Sequence, residues 1–185
     1  MNYDLSDEEQ ALYDRVAEFA DEVVAPPAAY EYDTKRRLPL EIIAQMGELG
    51  LFGLPFPPEE AGGQGKSYFQ LCLAVEALGR VDQSIGVTLE AGVGLGIMPI
   101  VRNGTAAQRE EFLPDLIAGR ALAGFGLTEA SAGSDAGATK THAELDGDEW
   151  VINGSKQFIT NSGTPITKLV TIVAVTGEEA RPDGR

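Results

Sequence analysis

The spacing of apolar residues changes once along this chain, and that change constrains the fold more than any single motif does. Before Gly124 the apolar residues recur every three or four positions, the period of an amphipathic helix. After it the apolar segments are short, rich in β-branched and aromatic residues, and separated by the turn pairs Asp146-Gly147 and Asn153-Gly154. We therefore predict an α+β fold, with an all-α helical domain over residues 1–122 and an antiparallel β domain over residues 123–185.

The helical part carries three capping boxes, in which Ser or Thr is followed three residues later by Glu or Gln. The pairs are Ser6 with Glu9, Ser67 with Gln70, and Thr105 with Gln108. Each cap contributes about 1 kcal/mol, so these residues predict helix starts. A further helix is expected to begin at Pro39 and to end at Gly50.

One helical stretch, residues 82–98, contains four glycines: Gly86, Gly92, Gly94 and Gly96. A glycine inside a helix costs about 1 kcal/mol relative to alanine, so a compensating interaction is expected. Close packing of another helix is the simpler explanation, and a ligand beside the helix is the alternative.

The β domain is expected to be incomplete. Its predicted strands are residues 139–145, 150–153, 156–160 and 169–175. So few short strands bury too little apolar surface to be stable alone, and a polar tail, residues 176–185, follows them. We expect a longer protein cut inside its second domain.

Charge and hydropathy exclude several classes of partner. The formal net charge is -15 with no run of Lys or Arg, which disfavours nucleic acid and anionic lipid. No apolar run approaches the roughly 20 residues that cross a bilayer, so no membrane span is expected. The residues after Met1 lack the charged and then apolar pattern of a signal peptide.

Cysteine and histidine content also limits the chemistry. Cys72 is the only cysteine, which rules out an internal disulfide and favours a reducing cytoplasm. It lies in an apolar run, so we expect a small core residue. His142 is the only histidine, and we expect it to be exposed on a strand. No constellation of metal ligands is recognisable.

The stretch from Gly124 to Ala138 is a loop of small residues between helix and strand. Consecutive small residues allow backbone amides to converge on an anion such as a pyrophosphate, and Ser131 and Ser134 add hydroxyl donors. Thr128 is a further donor. A flexible connector has the same composition, so this loop alone does not decide between the two.

A second stretch places Phe158 two residues before Thr160 on a predicted strand, so both side chains would face the same way. An aromatic face beside a hydroxyl could cover a planar heteroaromatic ring and hydrogen-bond its edge. The alternative is a half-buried strand with an ordinary aromatic residue.

These stretches resemble the signatures of the acyl-CoA dehydrogenase family. The first is Gly126-Leu127-Thr128-Glu129 followed by Ala132-Gly133-Ser134-Asp135, and the second is Lys156-x-Phe158-Ile159-Thr160-Asn161. The resemblance extends over nearly the whole chain, because Gly62-Gly63-x-Gly65 and Gly104-Thr105-x-x-Gln108 also fit. Two linked motifs are more specific than one glycine-rich loop.

The resemblance implies FAD as cofactor and assigns roles by motif position. The implied FAD-binding residues are Phe125, Leu127, Thr128, Gly133, Ser134, Phe158, Ile159 and Thr160. Thr128 would bind the pyrimidine side of the flavin, Thr160 its N5 region, and Phe158 would pack on the ring. Ser134 would also touch acyl-CoA, and Leu95 would line the acyl-chain tunnel.

The implied reaction is α,β-dehydrogenation of an acyl-CoA thioester to the trans-2-enoyl-CoA, in fatty acid or branched-chain catabolism. Electrons would pass to an electron-transferring flavoprotein, and relatives are usually homotetramers. The catalytic glutamate would lie in a C-terminal domain absent from this sequence, so no catalytic residue is assigned here, and Glu129 is expected to be structural. A non-catalytic assembly module, or an oxidase or monooxygenase on the same scaffold, remains an alternative.

Overall fold

The computed structural model describes residues 4–26, 32, 34–59 and 61–177. The α-helices whose bounds are described are α1 Asp7–Phe19, α2 Leu40–Glu48, α3 Tyr68–Gly79, α4 Gln83–Ala91, α5 Met98–Asn103 and α6 Ala106–Ile117. A π-helical segment, Ala20–Val24, extends α1, and another, Gly92–Ile97, joins α4 to α5. Residues Gln83–Asn103 therefore form one continuous helix, here called the long helix.

The helix starts agree with the sequence pattern. All three capping boxes form, with the side chains of Ser6, Ser67 and Thr105 accepting from the backbone three residues ahead. Helix α2 begins directly after Pro39, and Gly50 ends it in the left-handed region at φ +73°. Local side chains and backbone preferences thus define these boundaries without help from the rest of the fold.

Within the described residues, four strands follow the helices: β1 Leu122–Gly126, β2 His142–Asp146, β3 Glu149–Asn153 and β4 Thr167–Ile172. The expected order, helices and then a small β unit, is confirmed. Strands β2 and β3 form the expected antiparallel hairpin, but β1 and β4 pair in parallel, which differs from the antiparallel expectation. The long connection between β1 and β4 permits parallel pairing, because it returns the chain to the end of the sheet at which β1 begins, so that β4 can run in the same direction.

Two local expectations in the β unit were wrong. Residues 124–126 were expected in a loop but belong to β1. Residues 156–160 were expected to form a strand but do not, because Phe158 and Asn161 adopt left-handed backbone at φ +56° and φ +65°. Such residues break the alternation of a strand and turn the chain.

The glycines of the long helix allow close approach of other elements. A Cβ on Gly92 would lie 2.9 Å from Cε1 of Phe52, and one on Gly96 would lie 2.8 Å from the carbonyl oxygen of Ala123 in β1. A Cβ on Gly86 would lie 3.1 Å from a carbonyl of α3. Close packing therefore accounts for these three glycines.

The long helix is longer and more apolar than was expected of any segment from the sequence, because its 21 residues are by length and composition apolar enough to cross a membrane. Of its apolar stretch, 56% is buried within the protein, and its position in the core accounts for its apolar composition.

Cys72 also differs from expectation, since it is exposed and lines a groove between α3 and the long helix. His142 is exposed on β2 as expected.

The hairpin β2–β3 exposes one apolar face. Leu145 lies opposite Trp150, and their exposed fractions are 60% and 54%. Ile152, on the same side of β3, is also exposed. Of the predicted polar tail, residues 178–185 lie outside the described part of the chain.

Candidate functional site

The two stretches that the sequence singled out lie side by side. The backbone N–H of Gln157 donates to the carbonyl oxygen of Thr128 at 2.8 Å. The Lys156 ammonium donates to the carbonyl oxygen of Leu127 at 2.9 Å. Residues 127–135, the first site segment, and residues 156–162, the second site segment, therefore form one surface.

The buried carboxylate of Glu129 holds the first site segment in place through hydrogen bonds. Its carboxylate accepts hydrogen bonds from the backbone N–H groups of Lys140 and Thr141, both at 2.9 Å, and from the Lys156 ammonium at 2.8 Å. The Lys156 ammonium, helped by these N–H groups, lowers the pKa of Glu129 from 4.5 to about 2. Glu129 is only 8% exposed, and this arrangement supports the expected structural role.

The second site segment is fixed to the long helix through Asn161. The Asn161 side-chain amide donates to the main-chain carbonyl oxygen of Thr88 at 3.1 Å. The main-chain carbonyl oxygen of Asn161 accepts from the Thr167 hydroxyl at 3.0 Å. The Ser162 hydroxyl donates to the carbonyl oxygen of Ile159 at 2.6 Å, which closes the turn. The segment is thus held by side chains where no strand ladder supports it.

The residues predicted in the first site segment lie at increasing exposure along the chain. Phe125, at the end of β1, and Leu127 and Thr128 are half-buried. Gly133 and Ser134 are exposed in the turn that follows. A Cβ on Gly133 would meet no atom within 4 Å, so the backbone there is open to approach from outside.

Among the site residues predicted in the second site segment, Phe158 is unusual because its large aromatic side chain is exposed. Phe158 is 85% exposed, far from the half-buried strand residue of the alternative interpretation. Thr160 is exposed and Ile159 is half-buried. The expected common direction of Phe158 and Thr160 depended on a strand, so that argument no longer applies; the two residues are still adjacent in one turn, since the Thr160 N–H donates to the Phe158 carbonyl at 3.2 Å.

Leu95 lies on the long helix, 43% exposed, apart from both site segments in sequence. Its neighbour Gly96 packs on Ala123 of β1, and a Cβ on Gly124 of the same strand would lie 3.0 Å from Cγ2 of Ile159. Strand β1 therefore contacts both the long helix and the second site segment. The structure brings the helix against the same β unit that carries the site.

Two residues that hold the site together, Lys156 and Asn161, received no role from the sequence. The Lys156 side chain is only 4% exposed, and its burial has no signature in sequence spacing. Asn161 carries a weak signal, because asparagine is enriched in the left-handed backbone region that this turn requires.

The surface combines one exposed aromatic ring with hydroxyl donors and open backbone. Phe158 offers an apolar face, Thr128 and Thr160 offer hydroxyls, and Gly133 and Ser134 offer an uncrowded turn. Such a donor set suits a planar ring with polar edges joined to a phosphate group. Among the described residues, no group of three His, Cys, Asp or Glu side chains that could hold a metal ion is found.

Two family models match the chain. Residues 6–120 match the model described as acyl-CoA dehydrogenase, N-terminal domain, and residues 124–184 match that of acyl-CoA dehydrogenase, middle domain. Together they extend over the helical part and the β unit. Both matches agree with the resemblance carried by the two motifs.

Curated relatives give the same result. The chain is 45% identical over 178 residues to a probable acyl-CoA dehydrogenase of Bacillus subtilis, covering 96% of this chain and 46% of that protein. It is 41% identical over 170 residues to the short-chain-specific acyl-CoA dehydrogenase of Clostridium acetobutylicum, covering 92% of this chain and 44% of that protein. The chain therefore spans about half the length of these relatives.

Solved structures share the fold. Butyryl-CoA dehydrogenase from Megasphaera elsdenii matches with TM-score 0.86 and 36% identity, over 96% of this chain and 46% of that one. An acyl-CoA dehydrogenase from Bacillus anthracis in complex with FAD matches with TM-score 0.80 and 34% identity, over 94% and 29%. A chain from work on the electron transferring flavoprotein of Acidaminococcus fermentans matches with TM-score 0.81 and 42% identity, over 88% and 42%. Motifs, family models and structures agree, and the chain belongs to the acyl-CoA dehydrogenase family.

Proposed function

We propose that this chain forms the flavin-binding half of an FAD-dependent acyl-CoA dehydrogenase, which oxidises acyl-CoA thioesters to trans-2-enoyl-CoA. The observation that carries the proposal is the junction of the two motif segments through Gln157 and Thr128. That junction creates a surface with donors and an uncovered aromatic ring, where the family motifs imply the cofactor. Family membership supplies the reaction class.

The residues of the surface fit FAD chemically. Phe158 is 85% exposed, and a large aromatic so exposed is available to pack on a planar ring. The hydroxyls of Thr128 and Thr160 can donate to polar atoms at the edge of that ring, and the open turn at Gly133 and Ser134 can approach a pyrophosphate. When bound, FAD supplies the hydride acceptor for the β-carbon, while these residues bind and orient it.

The substrate class is acyl-CoA, as the names of the related enzymes indicate. Butyryl-CoA and short-chain specificity in two of them favour a short acyl chain as the first substrate to test. Leu95, exposed on the long helix, would contact the acyl chain, and Ser134 would contact both FAD and acyl-CoA. The proposed process is fatty acid or branched-chain acyl-CoA catabolism.

The catalytic base would come from additional polypeptide. Glu129 is unsuited to that role, because its carboxylate is buried and bound by three donors, and its pKa of about 2 makes it a weak proton acceptor near neutral pH. The relatives are about twice as long as the matched region, which leaves room for a domain that carries a base.

The remaining properties follow the family resemblance. An electron-transferring flavoprotein is the proposed electron acceptor, in line with the published work on such a protein from which one matching chain comes. A homotetramer is the proposed assembly. A reducing cytoplasm is the proposed compartment, and the presence of a single, exposed cysteine supports it.

The test is spectroscopic. The chain is expressed with any natural continuation, purified, and examined for a flavin spectrum in the visible range. Acyl-CoA thioesters of increasing length are then added anaerobically, with free CoA as the control.

The proposal expects at least one thioester to bleach the flavin absorption. A flavin that no thioester bleaches would contradict dehydrogenation. A protein that neither retains nor binds FAD would favour a non-catalytic module. Rapid reoxidation of the reduced flavin by oxygen would point to an oxidase or monooxygenase.

A further inference from the structure

Lys156, in the second site segment, is hydrogen-bonded to two residues of the first site segment. It donates to the carbonyl oxygen of Leu127 at 2.9 Å and to the carboxylate of Glu129 at 2.8 Å. We propose that Lys156 is a positioning residue that sets the orientation of Thr128 toward the bound cofactor, through the peptide that precedes it. The inference rests on the proposed function, because it assumes that FAD binds at this surface.

The geometry around Thr128 gives Lys156 this role. The carbonyl before Thr128 is held by the Lys156 ammonium, and the carbonyl of Thr128 itself is held by the N–H of Gln157. Both peptide groups that flank Thr128 are therefore fixed by consecutive residues of the second site segment. Because both peptide groups are fixed, the direction in which the Thr128 side chain points depends on the hydrogen bonds from Lys156 and Gln157.

Burial makes these contacts strong. The side chain of Lys156 is 4% exposed and that of Glu129 is 7% exposed, so little water competes for the ammonium. A hydrogen bond from a charged donor in such surroundings is stronger than one between neutral groups. The same ammonium that pairs with Glu129 also holds the Leu127 carbonyl.

Two routes of action must be separated. Lys156 could act through the Leu127 carbonyl, as proposed, or only as the counter-charge of Glu129. The variant Lys156→Met is therefore made both in the wild-type chain and in the variant Glu129→Gln, where the carboxylate is already neutral. The double variant also avoids an unpaired buried charge, so it keeps the test valid where Lys156→Met alone fails to fold.

The matched control is Lys140→Met. Lys140 also binds Glu129, but through its backbone N–H, and its side chain is exposed. Removing that side-chain charge leaves the hydrogen bond to Glu129 in place. The control therefore changes the net charge by the same amount as Lys156→Met without touching the Leu127 carbonyl.

The measurements are the dissociation constant of FAD, the visible absorption band of the bound flavin, and the thermal midpoint. We expect Lys156→Met to raise the FAD dissociation constant about tenfold and to change the flavin band, in both backgrounds. Lys140→Met should change neither. The spectral change is the deciding readout, because a merely less stable protein does not alter the spectrum of the flavin that is bound.

Two results overturn the inference while the proposed function stands. One is a wild-type FAD affinity and spectrum in Lys156→Met, and the other is an effect of Lys156→Met that disappears in the Glu129→Gln background. If the wild-type protein itself binds no FAD, the proposed function fails first, and the inference fails with it.

Discussion

The side-chain amide of Asn161 donates a hydrogen bond to the main-chain carbonyl of Thr88, across 73 positions of sequence. Thr88 lies in the long helix one turn before Gly92, where α-helix gives way to the π-helical segment. Asn161 therefore ties the turn that carries Phe158 and Thr160 to the helix that carries Leu95. One buried amide connects the proposed cofactor side of the site with the proposed substrate side.

Substitution of Asn161 separates this hydrogen bond from backbone strain. Asn161→Gly keeps a residue suited to φ +65° and loses the bond, which should lower the free energy of unfolding by about 1 kcal/mol. Asn161→Ala loses the bond and also forces a Cβ into the left-handed region, at a further cost of about 1 kcal/mol. Urea denaturation measures both values. Equal stability of the two variants would show that the backbone strain is relieved by local movement.

Glu129 should make stability depend on pH in the acid range. Its pKa is lowered from 4.5 in the unfolded chain to about 2 in the folded protein, so the folded state favours the ionised form. The stabilisation is fully present above about pH 4.5 and is lost as the pH falls toward about 2. Thermal midpoints of wild type and Glu129→Gln should therefore differ most above pH 4.5 and converge below it. A constant difference across this range would contradict the lowered pKa.

Phe158 should contribute to cofactor binding and little to stability. Because its side chain is 85% exposed, Phe158→Ala should change the free energy of unfolding of the apoprotein by no more than about 0.5 kcal/mol. Loss of the ring that is proposed to pack on the flavin should weaken FAD binding about tenfold. Fluorescence titration with FAD measures the affinity. Phe69→Ala, at an exposed phenylalanine of α3, is the control and should leave FAD affinity unchanged.

Two glycines of the long helix should respond to alanine in opposite directions. A methyl group on Gly96 would lie 2.8 Å from a backbone oxygen of β1, so Gly96→Ala should cost about 1–3 kcal/mol. A methyl group on Gly94 would meet only the carboxylate end of Glu90 at 3.2 Å, which can move away. Gly94→Ala should therefore gain up to about 1 kcal/mol from helix propensity. Denaturant titration of the two variants compares them directly, and a destabilised Gly94→Ala would argue against this packing.

Thr160 should affect the rate of flavin reduction in the FAD-loaded full-length protein, because the catalytic base is proposed to lie in additional polypeptide. Thr160→Val removes the proposed donor near flavin N5 with almost no change in shape, so single-turnover reduction by an acyl-CoA substrate should slow about tenfold or more. Thr160→Ser retains a hydroxyl and serves as the control, with a rate near that of wild type. Stopped-flow absorbance records both, and an unchanged rate in Thr160→Val would remove Thr160 from the proposed site.

Features that depend on neighbours in sequence could be predicted well. The capping boxes at Ser6, Ser67 and Thr105 formed as expected, since each bond joins residues three positions apart. The hairpin β2–β3 followed from its Asp146-Gly147 turn, for the same reason. The family motifs also identified the two segments that meet at the site, although the sequence pattern did not show how they meet.

Tertiary structure decided what local patterns leave open. The parallel pairing of β1 with β4 and the exposure of Cys72 depend on what lies opposite each residue in space. The turn at Phe158 replaced a predicted strand, because Asn161 and its bond to Thr88 hold that segment in left-handed backbone. Sequence spacing thus determined the capped helices, the β2–β3 hairpin and the motif residues. Only the tertiary structure decided that Lys156 is buried between the two site segments. Its hydrogen bond to Leu127 joins residues 29 positions apart, and such a contact has no local energetic signature.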